Sequence, residues 1–436
     1  MPASMPTSPY NGGPGKGISL PDVFVPTPYL ANDNFYFPGT ETLGSDEMRV
    51  SFVGSCPWPP RRDQAGTSIM VELGNGDNFF FDLGNGSVEN IISMGVPPAT
   101  INDIFLSHLH VDHYADLPYV LPFTATNARW HPLRVTGPSG RTPELGTQAM
   151  VDNMKKMMRW HLEEFDTNPI GDGYEVDVTE FDFREENGIC CQHNGVTVRH
   201  WPRSHGEDGA SAYRLDWEDT GLSFVWTGDG RPDELTANYA AGADVFVSEV
   251  QSHLAFIVGM KMGYPEDISN CIIDTHHTPH YALGYLFDQV QPRFAPATHL
   301  EYEPSTLTEV VAGIRAHWDG LFAFGAPDVQ VVDVTPDAVW IREAVLPGLG
   351  TNAQPTPEQM AKLFMEDGEV PEFVDVPVPG LSREEQQDPH FREIEIDPQK
   401  YTPPDVARDL VLALPPGIQI PLRQMLEQAG VSLDDL

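Results

Sequence analysis

The chain has 436 residues, enough to bury a large core in one domain with extensions or in two or three domains. Its 25 Lys and Arg against 64 Asp and Glu give a formal net charge of −39, which argues against a nucleic-acid partner because phosphate binding needs clustered cations. It shows no run of 18 apolar residues and no basic-then-apolar leader, so the composition predicts a cytoplasmic protein without membrane association.

The first part of the chain changes character at Met48. Residues 1–47 are rich in Pro, Gly, Asn and Ser and predict an extended N-terminal arm. Alternating and apolar runs then predict strands over 48–54, 68–73 and 78–82, a helix over 87–94, and a strand over 101–107. Strands interleaved with helices in this way are typical of a layered α/β fold.

The middle of the chain, residues 121–190, is rich in Met and Trp and predicts a helical insert, with its main helix over 149–165. A Met-rich helix face either lines a binding surface or packs in the core. After the insert, predicted strands cover 196–200, 212–217, 222–227, 244–249 and 294–299, predicted helices cover 283–290 and 303–316, and residues 329–340 supply further strand.

Residues 346–436 are again Pro-rich and acidic and predict a C-terminal extension, which leaves residues 48–345 as the main domain. Each terminal arm is either a disordered tail or a segment that wraps a neighbouring subunit. Because a monomer gains little from ordering long extended segments, we expect a homo-oligomer held through the arms.

Four potential metal ligands fall within six residues directly after the predicted strand over 101–107: His108, His110, Asp112 and His113. An extended backbone would point the first two imidazoles the same way, and the following turn would present the Asp-His pair. Imidazole and carboxylate groups suit zinc. The spacing therefore predicts one cation on the His pair and an adjacent one on the Asp-His pair.

This run resembles the H-x-H-x-D-H signature of the metallo-β-lactamase superfamily, and the later residues that the signature requires follow in order after predicted strands. They are His205, Asp229 and His299. The resemblance implies an αββα sandwich of two mixed β-sheets flanked by helices. It also implies that His108, His110 and His205 hold one metal, that Asp112, His113 and His299 hold the other, and that Asp229 bridges both. His200 is the alternative to His205.

Within the superfamily, the chain is most similar to the branch that contains ribonuclease Z, PhnP-type phosphodiesterases and a class of arylsulfatases. The motifs that carry this likeness are Gly54-Ser-Cys-Pro57 with Arg61-Arg62, Phe81-Asp82-Leu-Gly84, Ser248-Glu249 and His277-Thr278. The likeness implies that His277 is a catalytic histidine oriented by Glu249, with His276 as the alternative. Asp112 and Asp229 would orient the attacking hydroxide.

The resemblance thus implies a hydrolase with two Zn²⁺ per chain, or Mn²⁺ or Fe²⁺ in their place, that uses a metal-bound hydroxide. With the net charge counted against RNA, we expect a small-molecule substrate: an ester, lactone, sulfate ester or phosphodiester. Tryptophans either line its pocket or pack in the core, among them Trp58, Trp130, Trp160 and Trp201. The alternatives are a non-hydrolytic di-iron oxygen or redox protein on the same fold, and ribonuclease Z-like RNA processing.

Overall fold

A computed structural model of the chain describes residues 35–346, except 59–60, 165–169, 207 and 254–264. Most of the predicted N-terminal arm and almost all of the predicted C-terminal extension therefore lie outside the described residues. The strands are β1 Phe35–Tyr36, β2 Met48–Gly54, β3 Ser68–Leu73, β4 Asn78–Phe81, β5 Asp103–Phe105, β6 Leu133–Pro138, β7 Val176–Phe181, β8 Gly188–His193, β9 Val196–Pro202, β10 Ser211–Trp217, β11 Leu222–Trp226, β12 Val245–Glu249, β13 Ala295–Thr298, β14 Phe322–Phe324, β15 Gln330–Val334 and β16 Val339–Ala344. The helices are α1 Ser87–Ser93, α2 Val111–Tyr114, α3 Leu117–Thr126, α4 Thr147–Met157, α5 Arg159–Glu164, α6 Glu234–Tyr239, α7 Glu266–His276, α8 His280–Val290 and α9 Pro304–Arg315.

Two mixed sheets face each other across the main core. The first has the order β1-β16-β15-β2-β3-β4-β5-β6-β7, and the second has the order β14-β13-β12-β11-β10-β9-β8. Alternate side chains of the central strands point between the sheets, because successive residues of a strand face opposite sides. Phe81, Phe105, Tyr213 and Phe224 meet there, with the rings of Phe81 and Phe224 4.9 Å apart.

Helices cover the outer face of each sheet and bury a second and a third apolar cluster. Val88 and Ile91 of α1 and Val120 of α3 pack on the first sheet. Leu283 of α8 and Val310 of α9 pack on the second. The layers follow the order helix, sheet, sheet, helix, which confirms the predicted αββα sandwich.

Residues 121–190 contain more sheet than their sequence predicts. Besides α4 and α5 they include β6 and β7, which extend the first sheet, and β8, which pairs with β9 at the edge of the second. Exposed and partly exposed positions dominate β7, so its sequence lacks the apolar run of a buried strand.

The described end of the N-terminal arm also joins a sheet, since Phe35 and Tyr36 pair in parallel with β16. The Arg49 guanidinium lies 4.1 Å from the centre of the Tyr36 ring and donates to Asp333, which also accepts from Arg342. Within the described residues, no helix has the length and apolar character needed to cross a bilayer.

Candidate metal centre

The candidate site lies where several parallel strands end. Strands β4, β5 and β6 pair in parallel in the first sheet, and β11, β12 and β13 pair in parallel in the second. The carboxyl ends of parallel strands share one edge of a sheet, and the loops that leave this edge are where ligands bind in open α/β folds. The predicted site residues follow these strands, with His205 after β9.

The local fold of the histidine motif orients its side chains in two sets. His110 has extended backbone angles, φ −75° and ψ 145°, and α2 begins at the next residue. Asp112 and His113 therefore lie on the first turn of α2, while His108 and His110 precede it. The Ser107 backbone N–H and hydroxyl both donate to the Asp82 carboxylate, at 2.6 and 2.7 Å, which anchors the motif to the end of β4.

The first group of side chains consists of His108, His110 and His205. His205 Nε2 lies 3.1 Å from His110 Nδ1, and the His108 ring centre lies 4.6 Å from that of His110 and 4.8 Å from that of His205. His205 Nδ1 donates to the His276 carbonyl at 2.6 Å, which leaves its Nε2 as an acceptor. One ligand atom from each ring lies within 4.8 Å of the others.

The second group consists of Asp112, His113 and His299. Nε2 of His113 and Nε2 of His299 each lie 3.6 Å from Asp112 Oδ2. All three side chains are buried. His113 Nδ1 contacts Asp82 Oδ2 at 2.9 Å, so the second nitrogen of this ring, Nε2, faces the group.

Asp229 lies between the two groups. Its Oδ2 is 3.9 Å from His108 Nε2 and 3.7 Å from His205 Nε2 on one side, and 3.5 Å from His113 Nε2 and 3.4 Å from His299 Nε2 on the other. The structure thus brings together the seven side chains that the sequence motifs named as ligands.

These donors fit divalent cations. Nε2 of His108, His113 and His299 and Oδ1 of Asp229 are buried without a hydrogen-bond partner, although an unpaired buried polar atom costs about 1–3 kcal/mol. Two ligand atoms that are each about 2.0–2.2 Å from one tetrahedral ion are roughly 3.3–3.6 Å apart, close to the separations around Asp229 and Asp112. The groups could therefore hold divalent metal.

The electrostatics differ between the two groups. Burial lowers the pKa of His205 to about 4 and the pKa of His108 well below its usual value, so these rings are neutral near pH 7 and offer lone pairs. Burial also opposes a charge on His299, but Asp229 and Asp112 outweigh it and raise its pKa to about 10. Burial would raise the pKa of Asp112, yet His113 and His299 lower it to about 2. The second group thus favours positive charge.

His277 lies beside the candidate metal ligands, and its hydrogen-bond partner is a carboxylate outside the two ligand groups. Its Nδ1 contacts Glu249 Oε2 at 2.8 Å, and its ring centre is 4.9 Å from that of His205. Burial opposes protonation, but the fully buried Glu249 carboxylate raises the pKa of His277. The neighbouring His276 is half-buried, and its Nδ1 contacts the Thr275 hydroxyl.

The Asp82 carboxylate orients more of the site than its motif indicated. Besides Ser107 and His113, it accepts from the indole N–H of Trp226 at 2.8 Å. Gln251, which the sequence did not single out, places its side-chain amide 3.0 Å from His299 Nδ1. The sequence could have indicated that Gln251 lies near the site, because it is two residues after Glu249, at the end of β12.

Several predicted site residues lie elsewhere. His200 is buried on β9, where its ring stacks on Phe181 at 3.6 Å between centres, so it is not part of either ligand group. Trp201 is buried in the third apolar cluster, and Trp160 is exposed. The cavity beside the first ligand group has no tryptophan in its lining.

A sandwich of two mixed sheets with a His and Asp cluster at the strand ends defines a class of metal-binding α/β proteins. The sequence model described as Metallo-beta-lactamase superfamily matches residues 61–203. The chain therefore carries a metallo-β-lactamase domain, which confirms the predicted resemblance, and the predicted class of metal-dependent hydrolase is consistent with it.

Curated relatives point to the predicted branch. A ribonuclease Z of Mycobacterium marinum is 29% identical over 290 residues, which cover 63% of this chain and 92% of the relative. A ribonuclease Z of Methanococcus maripaludis is 38% identical over 91 residues, 21% of this chain, and the chain spans only 29% of that relative's length. Among solved structures, the human tRNase Z short form is 15% identical with a TM-score of 0.48 and coverage of 65% of this chain and 98% of that chain.

These relatives correct one prediction. The expected small-molecule substrate and the expected absence of a nucleic-acid partner are wrong, because the curated relatives are ribonucleases. The net charge of −39 was a poor argument against a nucleic-acid partner, because it sums the charges of the whole chain. Binding of a phosphodiester depends on the charges at the site. The arms on which the predicted homo-oligomer rested lie mostly outside the described residues.

Proposed function

We propose that this chain is a metal-dependent phosphodiester hydrolase whose substrate is RNA. The observation that carries the proposal is the position of Asp229, whose Oδ2 lies within 3.9 Å of imidazole nitrogens from both ligand groups. Three of these nitrogens, Nε2 of His108, His113 and His299, are buried without a hydrogen-bond partner, and bound cations would satisfy them together with the Asp229 carboxylate. The ribonuclease Z relatives support the phosphodiester as the bond cleaved.

Each predicted ligand has a role in this proposal. His108, His110 and His205 would hold one Zn²⁺, and Asp112, His113 and His299 would hold a second. Asp229 would contact both ions. Glu249 is not assigned as a ligand, because its Oε2 is engaged with His277 Nδ1. Bound divalent cations supply Lewis acidity, which stabilises negative charge on phosphoryl oxygens and acidifies water.

The protein groups perform the remaining steps. The carboxylates of Asp112 and Asp229 accept hydrogen bonds from the attacking water and fix its orientation. As the water oxygen bonds to phosphorus, the proton that it loses passes to solvent. Glu249 holds His277 through Nδ1, so the exchangeable proton of this ring is offered at Nε2. From there it passes to the oxygen of the leaving group as the phosphorus–oxygen bond breaks.

A substrate panel tests the function. Zinc-loaded protein is incubated with bis(p-nitrophenyl) phosphate, p-nitrophenyl sulfate, p-nitrophenyl acetate, a lactone and a labelled single-stranded RNA. We expect hydrolysis of the phosphodiester and the RNA alone, and none by Asp112→Ala prepared in parallel, which controls for contaminating nuclease. Turnover of the sulfate or carboxylic esters without the phosphodiester would overturn the proposal.

Elemental analysis separates the hydrolase from the di-iron alternative. We expect two zinc ions per chain and no visible absorbance in the active preparation. Two irons per chain with visible absorbance and no phosphodiesterase activity would favour an oxygen or redox protein on the same fold.

A further inference from the structure

A small cavity opens beside the first ligand group. Its volume is about 220 Å³, and the three imidazoles of His108, His110 and His205 line one side of it. Four of the other lining residues are apolar: Leu109, Pro138, Leu145 and Ala210. A substrate phosphate held at the ligand groups would therefore have its neighbouring group at the entrance of this cavity.

The polar groups of the cavity indicate what it accepts. Asp208 contributes a carboxylate, and none of the described residues forms a hydrogen bond or ion pair with it. The Ser139 oxygen accepts from the Phe183 backbone N–H at 3.3 Å, so its hydroxyl hydrogen remains available to donate. A carboxylate on apolar walls repels a phosphate and favours an uncharged group that carries N–H donors.

We propose that this cavity, which we call the base pocket, holds one unpaired nucleobase next to the scissile phosphodiester. The inference rests on the proposed function. The base places its ring against Leu109, Pro138 and Leu145, and its edge donates an N–H to Asp208 while accepting from the Ser139 hydroxyl. Recognition of splayed single-stranded bases by apolar packing and edge hydrogen bonds is how proteins commonly read RNA.

The backbone at Gly209, which lines the cavity, lies close to Ser139, another lining residue. Gly209 has φ of 122°, and a Cβ there would approach the Ser139 carbonyl oxygen to 3.0 Å. The neighbouring Arg203 N–H donates to the Ala210 carbonyl at 2.8 Å, which ties the loop to the end of β9. Asp208 is exposed and directly precedes Gly209, the residue that lies against the Ser139 carbonyl.

The size of the base pocket limits its occupant. Pockets for drug-sized ligands measure roughly 300–1,000 Å³. The base pocket is smaller, at about 220 Å³, so it accommodates one ring system and excludes a base pair. We therefore expect single-stranded RNA to be cleaved and duplex RNA to be resistant.

Dinucleoside monophosphates test the base pocket. Zinc-loaded wild-type protein is assayed on cytidylyl-cytidine and on two analogues, each lacking one base but keeping the ribose. We expect the loss of one of the two bases to lower kcat/KM by about 10-fold or more, the size expected for one packed base. In Leu145→Trp, whose indole fills the pocket, the advantage of the intact dinucleotide over that analogue should disappear. Asp208→Ala should reduce it.

The control variant is Leu321→Trp, which makes the same substitution at an exposed leucine remote from the pocket lining, and its preference should equal that of the wild type. Equal rates on the intact and abasic substrates, or an unchanged preference in Leu145→Trp, would overturn the inference of a base pocket. If the protein still hydrolyses bis(p-nitrophenyl) phosphate, the proposed function stands. Failure to hydrolyse any phosphodiester would instead overturn the proposed function.

Discussion

At the scale of single residues, the candidate site depends on which ring nitrogen of each histidine is already engaged. Asp82 contacts Nδ1 of His113, the His276 carbonyl accepts from Nδ1 of His205, and Glu249 contacts Nδ1 of His277. A histidine that donates one ring N–H to an oxygen keeps its other nitrogen as a lone pair for a metal. The partners outside the ligand groups therefore decide which atoms point inward.

Substitution of Asp82 tests this dependence. Asp82→Asn keeps the size of the side chain but removes the charge that holds His113, and so we expect zinc affinity to fall by about 10–100-fold. The measurement is a competition titration against a chromogenic chelator. Asp103→Asn is the matched control, because this carboxylate pairs with Arg134 at the other end of β5. Equal zinc affinity in wild type and Asp82→Asn would refute the role of Asp82.

The pair His276 and His277 supplies a second test at this scale. His277→Ala removes the proposed proton donor without removing a proposed ligand, and we expect retained zinc with turnover lowered by about 10²–10⁴-fold. His276→Ala leaves the backbone carbonyl that accepts from His205, so its loss of turnover should be much smaller. The two variants are compared by kcat and by zinc content. A larger effect for His276→Ala would transfer the role to that residue.

The sequence was informative about the site where a motif has fixed spacing. His108 to His113 are contiguous, and His205, Asp229 and His299 each follow an apolar strand, so their convergence was predictable. The additional contacts of Asp82 were not, because Trp226 is 144 residues away and only the folded sheets bring the two together. The choice between His200 and His205 likewise depends on a three-dimensional fact, the stacking of His200 on Phe181.

At the scale of elements, predictions succeeded for the buried strands β11 and β12, but they failed for β6, which lies inside the first sheet, and for the edge strands β7 and β8. All five residues of β11 and of β12 are buried, and their apolar runs marked them clearly. Strand β7 ends the first sheet and β8 ends the second, and both mix exposed with buried positions. Edge strands use polar residues to prevent further pairing, and this removes the hydrophobic pattern on which prediction relies.

Strand β9 also carries a pH-sensitive group. His200 is fully buried, neither of its ring nitrogens has a hydrogen-bond partner, and burial lowers its pKa from 6.5 to about 4. Between pH 6.5 and pH 4, His200 is protonated in the unfolded chain but neutral in the folded chain. The free energy of unfolding therefore decreases as the pH falls towards 4. The expected decrease from this group is about 2 kcal/mol between pH 7 and pH 5.

Urea denaturation of His200→Phe at the two pH values measures this contribution. The variant should lose about 2 kcal/mol less than the wild type between pH 7 and pH 5, because phenylalanine does not titrate. His317→Phe makes the same change at an exposed position and should keep the wild-type pH dependence. All proteins are measured with a chelator so that metal binding does not contribute. The same pH dependence in His200→Phe and wild type would contradict the assignment.

At the scale of the whole molecule, the ligand groups connect the two sheets. The segment from His108 to His113 follows β5 of the first sheet, while His205, Asp229 and His299 follow strands β9, β11 and β13 of the second. Bound cations would therefore join the sheets at one edge of the sandwich. Removal of metal should destabilise the entire domain, since a ligand that binds only the folded state adds its binding free energy to the free energy of unfolding.

Metal removal can be followed by thermal unfolding of the full chain with zinc and after treatment with a chelator. Zinc at 1,000 times its dissociation constant contributes about 4 kcal/mol, which for a domain of about 300 residues corresponds to a Tm higher by roughly 6 °C. Asp112→Ala should show a much smaller difference, because it removes a carboxylate that the second group requires. Re-addition of zinc should restore the wild-type Tm but not that of the variant. Equal Tm values for the wild type with and without zinc would mean that the cluster around Asp229 does not bind the ion, whatever its charge and burial.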